Sequence, residues 1–144
     1  MNRDEIMRLI PHRPPFLWLD SIVAHDELTI HGQTFVDPAF DLFKGHYPDY
    51  PVLPGVIQCE MTFQTAAVLI AILRQNIEPD GRVPVVARLN KTKFRRMVRP
   101  GETVDIHVTI TDKVKDAYYL TGTVGVGGDI AARMDFTVTA ARMG

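Results

Sequence analysis

Two side chains able to move protons, His46 and Glu60, sit in contexts that restrict them. His46 lies in Phe43-Lys44-Gly45-His46-Tyr47-Pro48-Asp49-Tyr50-Pro51-Val52-Leu53-Pro54-Gly55-Val56, a stretch with three prolines and two glycines. Loops that constrained usually position something. Gly45 lets the backbone approach a ligand, and Pro48 is expected to hold Tyr47 extended. The plain alternative is a histidine bonded within its own turn. Glu60 stands among Val56, Ile57, Cys59, Met61, Phe63 and Ala66, where a carboxylate has to be paired, protonated or in use. Gln64, four residues on, shares its helix face and can donate a hydrogen bond to it. Burial disfavours the charged form, so Glu60 is expected to keep a proton near neutral pH and serve as a general acid. Its alternative is a carboxylate reaching solvent where the helix is incompletely covered.

An imidazole that accepts a proton and a carboxylic acid that delivers one form an acid/base pair. The helix start adds a third part, because N–H groups near Gly55 and Val56 point outward at the positive end of the helix dipole and suit an oxygen that gains negative charge. Together the three suit elimination of water from a β-hydroxy carbonyl compound, and no redox cofactor is needed. Metal chemistry is not signalled: His12, His25, His31, His46 and His107 show no His-x-x-x-His or His-Glu-x-x-His spacing. Cys59, the single cysteine, reads as inert packing on an apolar helix, and no serine sits in a Gly-x-Ser-x-Gly elbow.

A second constellation is electrostatic. Arg88, Lys91, Lys93, Arg95, Arg96 and Arg99 place six cations in twelve residues, leaving the rest of the chain with ten basic and seventeen acidic residues. That asymmetry fits an anionic partner, a phosphate or an acidic protein surface; it equally fits an edge strand that uses cations to block aggregation.

The elements that must position these groups are legible from patterning. Leu53 to Leu73 reads as one long helix with Pro54 in its first turn, and its second half is apolar all round, which implies burial on most sides. Leu17 to Ala24, Thr29 to Val36, Arg82 to Phe94, Thr103 to Thr111, Ala117 to Val126 and Ile130 to Ala140 read as strands separated by turn residues. The order predicts an α+β fold, one antiparallel sheet of about six strands curled around the helix, with consecutive strands paired. Such a sheet leaves open edges, and a second copy of the chain would cover them.

Length and composition bound these readings. The 144 residues, 46% hydrophobic and 23% charged, allow one domain with a sizeable core. A net charge of −1 argues against a global nucleic-acid footprint. The longest apolar run, Ala66 to Leu73, is too short to span a bilayer, and Met1 to Phe16 lacks a secretory signal, so a cytoplasmic location is expected.

Four blocks then carry a resemblance: Ile10-Pro11-His12-Arg13-Pro14-Pro15-Phe16-Leu17 with Asp20; Gly45-His46-Tyr47-Pro48; Pro51-Val52-Leu53-Pro54-Gly55-Val56 leading to Glu60 and Gln64; and Lys93-Phe94-Arg95-Arg96 with Val98 and Pro100-Gly101-Glu102. At this spacing the chain resembles the β-hydroxyacyl-acyl-carrier-protein dehydratases of type II fatty acid synthesis, which have the hot-dog fold. The resemblance implies one hot-dog domain over residues 1–144 and a homodimer or trimer of dimers, with His46 of one subunit facing Glu60 of the other. It implies that His46 removes the proton α to a thioester, that Glu60 assists loss of the β-hydroxyl, and that the Gly55 amide region holds the thioester oxygen. Val56, Phe63 and Gln64 complete the expected substrate-binding set. No cofactor is implied beyond the phosphopantetheine arm of acyl carrier protein or coenzyme A that carries the substrate, and the basic segment from Arg88 to Arg99 becomes the docking site for the acidic carrier. Phe63 replaces a usually small residue, which implies a shortened or redirected acyl tunnel. Val85 and Arg88 stand where the family commonly has an aromatic and a small residue. A hot-dog acyl thioesterase and a non-catalytic acyl-binding protein are the competing readings.

Overall fold

The computed structural model describes residues 1–75 and 81–142. Its elements are α1 (Arg3–Leu9), β1 (Ser21–His25), β2 (Thr29–Phe35), α2 (Leu42–Gly45), α3 (Gly55–Arg74), β3 (Arg82–Phe94), β4 (Thr103–Val114), β5 (Ala117–Val126) and β6 (Asp129–Arg142). The six strands form one antiparallel sheet in the order β1-β2-β4-β5-β6-β3, and α3 packs against it.

Period-two burial explains why the sheet closes over the helix. On β4, Val104, Ile106, Val108 and Ile110 are buried in alternation; Tyr118, Leu120, Gly122 and Val124 do the same on β5. Each fully buried aliphatic side chain of this kind contributes about 1.5–3 kcal/mol. Ten of the twenty residues of α3 are buried, including Gln58, Thr62, Gln64 and Thr65. The hydroxyls of Thr62 and Thr65 donate to the carbonyls of Gln58 and Met61 one turn back, at 2.9 and 2.8 Å, so neither is stranded in the core.

Helix and sheet touch most closely at two glycines. A Cβ on Gly122 would lie 2.3 Å from Thr62 Cγ2, and one on Gly32 would lie 2.8 Å from Leu19 Cδ1 and 3.1 Å from Thr65 Oγ1. Gly122→Ala is therefore expected to destabilise the fold by about 1–3 kcal/mol through overpacking, read by urea unfolding, and removing the opposing γ-methyl with Thr62→Ser should recover part of the loss.

Three features depart from the sequence reading. Residues 17–19 do not join β1, because their backbone is bonded elsewhere: Arg3 donates to the carbonyls of Leu17 (2.7 Å) and Leu19 (3.4 Å), and the Trp18 N–H goes to Gln64. Two short helices are added, of which α1 opens with a reciprocal capping box between Asn2 and Glu5. Finally, β3 pairs with β6 and not with its sequence neighbour β4. The segment after it leaves along a different path, Arg95 N–H bonding Ala131 O at 2.7 Å and Leu53 N–H bonding Val98 O at 2.7 Å. The thirteen-residue β3 is consequently an outer strand with none of its residues fully buried, and Val85, Val86, Leu89 and Phe94 are exposed on it.

Candidate active site

His46 ends α2 with extended backbone angles, φ −122° and ψ 94°. Its Nδ1 lies 3.0 Å from the carbonyl oxygen of Val52. A carbonyl can only accept, so in the neutral ring Nδ1 carries the hydrogen and Nε2 keeps a lone pair. The next residue overturns the expectation of an extended Tyr47: its φ is +51°, in the left-handed region. The Tyr47 carbonyl accepts the Tyr50 N–H at 2.8 Å, closing a tight turn. Pro48 disfavours the right-handed helical region for Tyr47, and the turn selects the left-handed one at a cost of about 1–3 kcal/mol. Tyr50 is anchored in turn by Arg99, whose guanidinium bonds its hydroxyl and lies 4.6 Å from its ring centroid.

Glu60 projects from the second turn of α3 and is about three-quarters buried. Gln64 Nε2 donates to Glu60 Oε2 at 3.0 Å, and His12 Nε2 stands 3.9 Å from the same oxygen. Burial pushes the Glu60 carboxyl above the ordinary carboxylate range, and the Gln64 hydrogen bond and nearby His12 counter only part of that. The contacts of one chain therefore tie Glu60 to His12 and Gln64, and His46 to Val52 and Tyr47; among the described residues no hydrogen bond or ion pair joins His46 to Glu60.

Gln64 is fully buried, and its amide is spent on the protein. It accepts the Trp18 N–H at 2.8 Å and donates to Phe16 O at 2.8 Å as well as to Glu60. Expected as a substrate contact, it acts instead as a bracket that sets Glu60 against the loop of residues 16–18. That loop also holds α2, through Trp18 edge-to-face on Phe40 at 5.4 Å and Phe40 stacked on Phe43 at 6.3 Å. Phe63 is only partly buried, and its ring packs on Phe136 of β6 at 5.1 Å. Gly55 and Val56 do open α3, behind Pro54, which supplies no side-chain cap. Their N–H groups have no partner among the described residues, and the Phe94 ring lies so close over Gly55 that a Cβ there would be 2.9 Å from it.

A groove of about 900 Å³ runs beside α3, with Ile10, His12, Ala67, Ala71, Val83 and Val85 in its wall. Its wall is mainly apolar, as an acyl chain requires. Among the described residues no group of three His, Cys, Asp or Glu side chains is placed to hold a metal.

Comparison with known proteins decides the family. A family profile for the ApeI-like proteins, described as ApeI dehydratase, matches residues 22–126. The 3-hydroxyacyl-[acyl-carrier-protein] dehydratase FabZ of Rickettsia bellii is 38% identical over 134 residues, 92% of this chain and 91% of the relative. The FabZ of Anaeromyxobacter dehalogenans is 35% identical over 135 residues, 91% and 85% of the two chains. The chain belongs to the FabZ and ApeI-like dehydratases. This dehydratase is a hydro-lyase of hot-dog fold. The fold recurs in the ApeI:P dehydratase heterocomplex of Xenorhabdus doucetiae, with a TM-score of 0.80 at 16% identity over 95% of this chain and 91% of that one. It recurs also in the PaaI protein from the E. coli phenylacetic acid degradation operon, with a TM-score of 0.65 at 12% identity over 83% and 81% of the chains.

The basic segment of the dehydratase divides in two. Arg96 forms a fork with Glu102 at 2.8 and 3.3 Å, holding that carboxyl below its ordinary range, and Arg99 is taken by Tyr50. Arg88, Lys91, Lys93 and Arg95 are exposed. His12, which the sequence offers only as one of five histidines without metal spacing and within a block of the resemblance, stands beside Glu60 although 48 positions separate them in sequence. The available signal was Pro-His-Arg-Pro-Pro, a histidine fixed by flanking prolines as His46 is.

Proposed function

We propose that the dehydratase acts on a 3-hydroxyacyl thioester through His46 and Glu60, with each site shared between two subunits. His46 Nε2 takes the α-proton while the Gly55 and Val56 N–H groups stabilise negative charge on the thioester oxygen. The Glu60 carboxyl then gives its proton to the β-hydroxyl; the Cβ–O bond breaks, water leaves, and the former Cα–H pair becomes the double bond of the trans-2-enoyl product. The observation that carries this reading is the complementary state of the two groups. Nδ1 of His46 is bound so that in the neutral ring Nε2 keeps the lone pair, and burial shifts the Glu60 carboxyl toward its acid form.

The open edge of β3, with its exposed Val85, Val86, Leu89 and Phe94, favours pairing with a second copy of the chain. A homodimer of that kind would complete the site. The names of the relatives support acyl carrier protein as the thioester carrier, and with it a cytoplasmic reaction. Arg88, Lys91, Lys93 and Arg95 are the free cations available to its acidic surface, whereas Arg96 and Arg99 hold the loop in shape. Lys93→Glu with Arg95→Glu is expected to raise KM for carrier-bound substrate about tenfold or more, and to change KM for a small N-acetylcysteamine thioester far less.

The deciding assay offers 3-hydroxybutyryl and longer 3-hydroxyacyl thioesters and follows enoyl absorbance beside a thiol-reactive dye. Enoyl formation without thiol release is the expected result. Thiol release without enoyl formation would make the protein a thioesterase and overturn the reading.

A further inference from the structure

We infer that His12 is a third catalytic side chain, one that holds the departing hydroxyl oxygen together with Glu60. The inference rests on the reading of Glu60 as the acid. Its Nε2 stands 3.9 Å from Glu60 Oε2, too far for a direct hydrogen bond. An oxygen atom at about 2.8 Å from both would fit between them, the distance at which each polar group bonds best. Nδ1, on the opposite side of the ring, is buried and has no hydrogen-bond partner. A hydrogen placed there would have nothing to receive it, so the ring hydrogen belongs on Nε2, aimed at the side where Glu60 lies.

The position is built and not incidental. Pro11 precedes His12, and Pro14 and Pro15 follow one residue later. Arg13 clamps the segment from the other side, its guanidinium donating to the carbonyls of Met7 (2.8 Å), Ile10 (2.8 Å) and His12 itself (2.7 Å). His12 also borders the 900 Å³ groove beside α3. The sequence thus spends a proline-flanked segment and an arginine on holding one imidazole against one carboxyl.

The chemistry that follows is specific to the leaving group. As the Cβ–O bond breaks, the Glu60 proton passes to the oxygen and the bonding pair leaves with it, giving water. His12 transfers no proton; its Nε2–H donates a hydrogen bond to the same oxygen, which stabilises charge building on it and fixes the lone pair that Glu60 protonates. In the hydration direction the same two groups hold the attacking water. Removal of the α-proton by His46 does not involve His12.

The test separates the two bonds by substrate. 3-Hydroxybutyryl and 3-chlorobutyryl thioesters both require loss of the α-proton, but chloride leaves without being protonated. His12→Leu and His12→Asn, which withdraw the donor, should lower kcat for the hydroxy substrate on the order of 10²-fold. KM and the enzyme-dependent rate on the chloro substrate should change little. His12→Gln, which places an N–H near the position of Nε2, should stay within about fivefold of wild type. Circular dichroism and melting temperature confirm folding, and the Asn and Gln pair keeps the test decisive if the Leu variant unfolds. Equal losses on both substrates, or undiminished hydroxyl elimination in His12→Asn, would overturn the assignment. Wild-type protein that eliminates chloride but never hydroxide would overturn Glu60 as the acid, and the role of His12 with it.

Discussion

Glu60→Gln is expected to lower kcat for dehydration on the order of 10² to 10⁴-fold and to raise thermal stability in neutral and alkaline buffer. Gln keeps the length of the side chain and can still accept from Gln64 Nε2, so the bracket to residues 16 and 18 survives. What disappears is the titrating proton. The folded protein holds the Glu60 carboxyl above its unfolded value of 4.5, mainly by burial. Its contribution to stability is therefore complete below that value and is lost as pH rises through the raised folded one, where a largely buried carboxylate must ionise. A neutral amide suffers no such loss, so the advantage of the variant in melting temperature should grow as pH rises above 4.5 and through the raised value of the folded state. The wild-type kcat/KM should fall on its alkaline side as Glu60 loses the proton it has to deliver. An unchanged rate, or a variant less stable at alkaline than at acid pH relative to wild type, would contradict the role given to this carboxyl.

The second large effect is one of recovery. His46→Ala and Glu60→Gln should each be nearly inactive alone, yet mixing them through unfolding and refolding in equal amounts should restore about one quarter of wild-type activity. If each site takes His46 from one subunit and Glu60 from its partner, a mixed dimer contains one site with both residues intact and one with neither. Half of the dimers are mixed and half of their sites are whole. Were both residues of a site drawn from one chain, no mixture could recover anything. Edge-strand substitutions such as Val86→Pro should lower activity and dimer content together by analytical ultracentrifugation, because proline removes a ladder donor from β3.

The energetic logic behind both predictions is shared. A protein core tolerates Gln64 at zero exposure because both its N–H groups and its oxygen are hydrogen-bonded, and the N–H it spends on Glu60 leaves that group held in place. Glu60 itself is only partly compensated, which costs stability and raises its affinity for a proton. Sites of this kind are where local stability and chemistry pull in opposite directions.

How much of this could be read without coordinates follows from the range of the interactions. Alternation at Val104, Ile106, Val108 and Ile110, the continuous apolar half of α3, and turn residues such as Gly127-Gly128 are local signals, and they placed six strands and the central helix correctly. The Asn2-x-x-Glu5 capping box at the start of α1 is an equally local signal. His46 and Glu60 stand out as candidates in the sequence because constrained loops and carboxylates among apolar residues are rare without a reason.

Long-range pairing decided the rest. That β3 crosses to β6, that Gln64 reaches Phe16 and Trp18 across 48 and 46 positions, that Phe63 turns to Phe136, and that His12 comes to stand by Glu60 are choices among many compatible partners. Tyr47 shows the same boundary within a single residue, since Pro48 narrows its backbone but only the closed turn with Tyr50 selects the left-handed form. Periodicity and propensity act over a few residues and so determine which elements exist and which faces are apolar. Which elements meet is determined by packing the whole chain at once, and the meeting of His12, Gln64 and Glu60 is a product of that packing.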